Sequence, residues 1–266
     1  MIEAAKRSDI ALDFAGVRIS GKDFGTISRR SSTCWQIRAN GKAGHSSGIF
    51  GQRGDGAIYE LVRILNAFRN DLREEYLTYN VGVIVGGDQA KYDSVLGTGT
   101  ASGKDNIIPQ VAIADGDIRT ISDEQLQRVR QKMKAIVAQH LPATGAEISF
   151  EEGYPSMPPT DGNRKLLGVL NSINRDLGLP DMEPLDPLQR GAGDISFISQ
   201  YVDGLAGMGA VGGVRMPKAN PSIWNFFLAS QEGGITHLPA YTVNPTAGCR
   251  STRRTKPSGL LPVCLR

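Results

Sequence analysis

The chain has 266 residues, of which 40% are hydrophobic, and a formal net charge of +3. That length suits one large domain or two smaller ones; no apolar run approaches the ~20 residues of a membrane-spanning helix, and residues 1–20 lack the basic flank and apolar stretch of a secretory signal. Residues 214–266 carry seven Lys/Arg against Glu232 alone, so the preceding body is net negative and the basicity belongs to a short tail, not to the folded basic face a nucleic-acid partner needs.

Three cysteines, Cys34, Cys249 and Cys264, match neither a zinc knuckle nor a disulfide framework. Unpaired thiols in a reducing compartment are the expectation, and a soluble, cytoplasmic setting is favoured, although a targeting signal in a missing N-terminal part would leave the compartment unknown.

In chain order, a short apolar strand is expected at 10–14, followed by a Gly-rich segment. Residues 33–40 alternate around Trp35 and Ile37 as a strand does. Residues 57–75 carry Ile58, Leu61, Val62, Leu65, Phe68 and Leu72 at helical spacing. Two Val/Ile-rich strands follow at 80–87 and 111–119. Ser122 with Gln125 three residues later forms a capping box for a helix ended by Pro142. A strand at 146–150 completes the order β-α-β-β-α-β. That is the ferredoxin-like plan, a sheet with two helices on one face, and it hosts many functions. A Pro-rich linker (Pro155, Pro158, Pro159) and a helix at about 163–177 come next. The expected division is 1–26 and 153–213 as pieces of a larger α/β domain, 27–152 as a ferredoxin-like domain inserted in it, and 214–266 as an irregular tail.

Few residues carry recognisable chemistry. His45 follows a Gly-rich turn; it suits a site, or a plain turn. Asn106 precedes Ile107, Ile108 and Pro109, and suits ligand binding or a turn in which it bonds its own backbone. Arg190 precedes Gly191, Gly193 and Asp194. A guanidinium there can grip a carboxylate through two parallel bonds, and the glycines let backbone approach a ligand; the alternative is a solvated arginine in a tight loop. His140, at a helix end, is structural in expectation. Glu151 and Glu152 form a solvated pair, and Gly82, Gly86 and Gly87 make no phosphate loop.

Three segments in this order carry a resemblance: WQIRANGKAGHSSGIF from Trp35, TASGKDNIIPQVAIADGDIR from Thr100 and RGAGDISF from Arg190. Together they resemble the glutamate carboxypeptidase and aminoacylase family of two-zinc hydrolases, over roughly residues 1–213. The resemblance implies a ferredoxin-like dimerisation domain inserted in an incomplete zinc-peptidase catalytic domain. It implies a homodimer in which His45 reaches the partner's site to stabilise an oxyanion, Asn106 and Arg190 with Gly191 and Gly193 bind the substrate carboxylate, and the substrate is a small peptide or N-acyl amino acid. Two zinc ions serve the intact family. Neither a nucleic acid nor a membrane is implied as partner.

The same resemblance sets most metal ligands and the general base before Met1, an acid where Ala15 stands, and a histidine shortly after Gly213. Val214 to Asn225, with the single-codon Met216 and Trp224 as anchors, permits a histidine-bearing peptide when reread in a shifted frame. A truncated and frameshifted product, weakly active or inactive, is therefore the expectation. The alternative is a non-catalytic dimerisation or binding module.

Overall fold

The computed structural model describes residues 1–14 and 16–208, and the backbone of two further strands. A short helix α1 (Ile2–Ala5) leads into β1 (Ile10–Asp13), β2 (Arg18–Ile19) and β3 (Lys22–Gly25). Then come β4 (Ser32–Gly41), α2 (Ala57–Asp71), β5 (Thr78–Gly87), β6 (Gln89–Asp93), β7 (Thr98–Ser102), β8 (Val111–Arg119), α3 (Asp123–Val137) and β9 (Thr144–Tyr154). The chain continues through α4 (Asp161–Asp176), β10 (Glu183–Pro184), β11 (Asp203–Ala206), β12 (Phe226–Ala229) and β13 (Ile235–Leu238). The fold is mixed α/β.

Residues 32–154 form an antiparallel sheet in the order β5-β8-β4-β9, with α2 and α3 on one face. Alternation decides which side chains enter the core, because successive residues of a strand face opposite sides. Trp35, Ile37 and Ala39 of β4 and Ala112, Ala114 and Ile118 of β8 all point to the helices and are buried. The helices answer at 3.6-residue spacing: Ala57, Leu61, Ile64 and Phe68 from α2; Leu126, Val129, Met133 and Val137 from α3. Trp35 is the centre of this core, fully buried and edge-on to Phe68 with ring centroids 5.8 Å apart. Its indole N–H is not wasted, donating to the Asp117 carbonyl at 3.1 Å. Gly116, opposite Trp35, leaves space for that ring. A Cβ there would lie 1.9 Å from the Asn80 carbonyl oxygen and 2.5 Å from the indole. Beside it β5 is bulged between Val81 and Val83.

Two polar devices fix the helices. Ser122 Oγ accepts from the Gln125 amide at 3.2 Å, and Gln125 Oε1 accepts from the Ile121 amide at 3.0 Å, the reciprocal bonding of a capping box. Glu60, fully buried on α2, accepts from Arg63, from the Leu141 amide at 2.9 Å and from the Thr144 hydroxyl at 3.1 Å, so the α3–β9 turn is pinned to α2. His140 completes this network at 3.4 Å from Glu60, in keeping with a structural role.

In a second sheet β1 lies between parallel β11 and antiparallel β12, while β10, β3 and β2 form a separate small sheet and β6 pairs with β7 alone. Asn163 at the start of α4 ties three segments together: its Nδ2 donates to the Ile27 and Pro158 carbonyls, and its Oδ1 accepts from the Gly204 amide.

All six elements expected between 33 and 150 are present. The β6–β7 hairpin was not expected; its sequence, Gln-Ala-Lys-Tyr-Asp and Thr-Gly-Thr-Ala-Ser, is polar and carries no apolar alternation. Cys34 corrects the expectation of unpaired thiols, since it is disulfide-bonded. The missing acid at Ala15, and the frameshift reading of 214–266 apart from the backbone of β12 and β13, lie outside the described residues.

Gly116→Ala is expected to destabilise the chain by about 1–3 kcal/mol, the usual cost of overpacking a filled core. The urea midpoint of unfolding measures it, and an unchanged midpoint would show that the indole shifts freely.

Candidate functional site

The sequence-selected residues gather at two places. At the end of the sheet where β4 stops and β8 begins, His45 and Ile107 form an isolated antiparallel bridge. The Ser46 amide donates to the Asn106 carbonyl at 2.9 Å and the Ile108 amide to the Gly44 carbonyl at 2.8 Å. Ile108 is the buried anchor of this contact, held beneath Gly56, whose φ of +80° and missing side chain admit it. His45 and Asn106 are thus neighbours on two stitched loops, and both are exposed.

The state of the His45 ring follows from its partners. The Ser47 backbone N–H donates to His45 Nδ1 at 3.2 Å, and the Ser47 hydroxyl lies 2.9 Å from the same atom. A backbone N–H only donates, so Nδ1 is an acceptor and the neutral ring carries its proton on Nε2. His45 therefore offers one N–H donor.

Arg190 sits at the opposite end, where β4 begins and β8 and β9 finish. Here Arg29 is held by a reciprocal backbone bridge to Met157, both bonds 2.8 Å. Its guanidinium donates to Asp13 Oδ2 at 3.2 Å and to the Gly191 carbonyl at 3.4 Å. Asp13 and Arg29 are both almost completely buried. Arg30 donates to the Pro187 carbonyl at 3.1 Å, the Leu188 carbonyl at 3.3 Å and the Thr78 hydroxyl at 2.6 Å. Two consecutive arginines thereby tether the 187–191 loop to the start of β5. Gly193 is a matter of space: a Cβ would meet the Arg29 guanidinium at 2.6 Å. Gly191 is less constrained, a Cβ lying 3.2 Å from Arg119.

Burial sets the electrostatics of this cluster. It pulls Arg190 down to about 10, helped by the neighbouring Arg29 charge and opposed by Asp13, and the group remains a cation at neutral pH. Burial also raises Asp194; the Tyr154 hydroxyl and Arg29 oppose this while Asp13 adds to it. Tyr154 is itself raised by burial and by Asp194. Its ring lies 5.0 Å from that of Phe197.

The ten residues of β4 separate the two places, about 30 Å at the usual rise of a strand. Within one chain, His45 and Asn106 do not meet Arg190. Arg29, Asp13 and Tyr154 escaped the sequence reading as members of this cluster. Buried arginines look like surface residues until the strand that hides them is known, and only the adjacent pair Arg29-Arg30 inside a polar run hinted at it.

A two-metal centre does not fit the described residues. Among them, no group of three or more His, Cys, Asp or Glu could hold an ion, and Asp13 and Asp194 share the charge of Arg29. Removing a buried partner leaves an uncompensated charge, so Asp13→Ala is expected to cost about 3–5 kcal/mol, measured by denaturant unfolding. A loss below 1 kcal/mol would mean that Arg29 is compensated elsewhere.

Comparison with known proteins agrees with this architecture. The peptidase dimerisation domain family matches residues 27–145. No curated protein matches the sequence. Among solved structures, a tripeptidase from Staphylococcus aureus is similar at 18% identity and a TM-score of 0.53, over 73% of this chain and 46% of that one. Aminopeptidase PepT from Bacillus cereus is similar at 14% identity and a TM-score of 0.53, over 75% of this chain and 48% of that one. This chain spans about half the length of both, and at such identities the likeness is one of fold. The matched residues 27–145 take in β4, β5 and β8 of the sheet, both helices and the His45 loop, so it is this part of the chain that is similar to the peptidase dimerisation domain family.

Proposed function

We propose that the chain is a subunit of a metal-dependent hydrolase, a metallopeptidase or amidohydrolase of carboxypeptidase or aminoacylase type, which cleaves a peptide or N-acyl amide bond beside a carboxylate-bearing amino acid in a site shared by two copies. One observation carries this reading. β5 has a pairing partner on one side only among the described residues. Its flank is apolar: Ile84 is 57% exposed, and Val81, Ile58, Tyr59 and Val62 are exposed with it. Open strand edges with apolar flanks are pairing surfaces, and a two-fold axis makes the contact antiparallel. Antiparallel pairing of β5 with the β5 of a second copy sets the His45 end of one chain beside the Arg190 end of the other. The separation of about 30 Å within a chain then becomes proximity between chains.

In that arrangement Arg190 grips the substrate carboxylate, and the partner's Asn106 supplies a side-chain amide. The Nε2–H of the partner's His45 donates to the oxyanion that develops at the scissile carbonyl. Zinc, the metal implied by the resemblance, would polarise that carbonyl and activate water. Its ligands would be residues other than those described. Metal analysis of the purified chain is expected to give well under one zinc per chain; two tightly retained ions would contradict this.

The composite site is tested by binding. Calorimetry with an N-acetyl amino acid is expected to show affinity weakened about tenfold or more by Arg190→Ala, by His45→Ala, and by Ile84→Arg, which makes the β5 edge charged. Unchanged affinity in a monomeric Ile84→Arg chain would overturn the shared site. A second reading, a dimerisation module without catalysis, is favoured by the lack of a metal-holding group among the described residues. A dimeric chain that binds no N-acyl amino acid supports that reading instead.

A further inference from the structure

The β6–β7 hairpin has no part in the site above, yet it is built with care. It leaves the C-terminal end of β5 and folds back over the sheet face opposite the helices. Gly87 lies against Ser102 and Gly99 against Val85, contacts so close that a Cβ would stand 2.4 Å and 2.5 Å from its neighbour. The Tyr92 hydroxyl reaches Asp115 Oδ1 at 3.4 Å, and Asp115 pairs with Val83 of β5. The hairpin is thus seated from the end of β5 back to its middle, and its own Ala90 is buried.

The turn beyond this seat is ordered. Asp93 Oδ1 accepts from the Val95 amide at 2.7 Å and the Leu96 amide at 3.0 Å. The Gly97 amide donates to the Asp93 carbonyl at 2.9 Å, and Gly97 holds a φ of +67°, which glycine alone adopts freely. This scaffold presents Val95 and Leu96, each 72% exposed. Two aliphatic side chains fixed side by side in water on an Asx-capped turn gain by burial.

We infer that this hairpin is a clasp on a second copy of the chain, its Val95-Leu96 tip packing across the two-fold axis against the same tip of the partner. The inference rests on the β5 pairing proposed above. In an antiparallel β5 pair the axis passes near the middle of the strand, by the Val81–Val83 bulge. Each hairpin runs from the C-terminal end of its own β5 toward that middle, so the two approach from opposite sides on one face of the joined sheet. The contact is isologous, and each substitution in the tip acts twice.

Sedimentation equilibrium of the full chain tests this with two variants. Val95→Ser combined with Leu96→Ser is expected to raise the dimer dissociation constant at least tenfold, with an unchanged circular dichroism spectrum. A shortened hairpin, with residues 94–97 replaced by an Asn-Gly turn suited to two strands, is expected to weaken the dimer as much. A wild-type dimer that neither variant weakens overturns the clasp while leaving the β5 pairing intact. A wild-type chain that stays monomeric at high concentration overturns both.

Discussion

The ion pair between Asp13 and Arg29 is the joint on which the two halves of the structure depend. Asp13 ends β1; Arg29 opens the segment leading into β4. Both charges are out of water, at a desolvation cost that only close pairing offsets. Arg29 adds a bond to the loop after Pro187 and a backbone bridge to the segment that follows β9. Four stretches of chain therefore meet at one arginine, two through its guanidinium and one through its backbone. A pair of this kind is weak evidence for stability. It is stronger evidence for register, since an arginine displaced by one residue would bury a cation without its acid.

Much of the four-stranded sheet with α2 and α3 was legible in the sequence because its core is simple. Trp35, Ile37 and Ala39 alternate, α2 and α3 repeat their apolar residues every three or four positions, and Ser122 with Gln125 announces a helix start. In each case local preference and burial point the same way, which is what makes a segment readable. Boundaries moved outward: the strand expected at 146–150 extends to Thr144–Tyr154, since its ends pair with β4 through polar residues that show no pattern.

Candidate residues could be chosen from the sequence, but not their arrangement. His45, Asn106 and Arg190 could be singled out from their glycine, proline and acid neighbours. That two of them share one end of the sheet and the third lies at the other is a property of strand length and direction, invisible before pairing is known. The Nε2–H form of the His45 ring likewise depends on the Ser47 amide, a backbone group common to every residue type. The hairpin at 89–102 went unforeseen because it is held by glycine contacts and one tyrosine, without the apolar alternation that marks a strand.

The length of β4 has an evolutionary corollary. Ten extended residues act as a ruler between the loop of His45 and the arginine cluster. Adding or deleting one would move the two ends by about 3.3 Å and turn every later side chain to the other face of the sheet. The β5–β8 connection carries no such burden, because both its ends lie at the same end of the sheet, where Gly87 pairs with Val111. Growth of the chain is tolerated there, and that is where the fourteen residues of the hairpin reside.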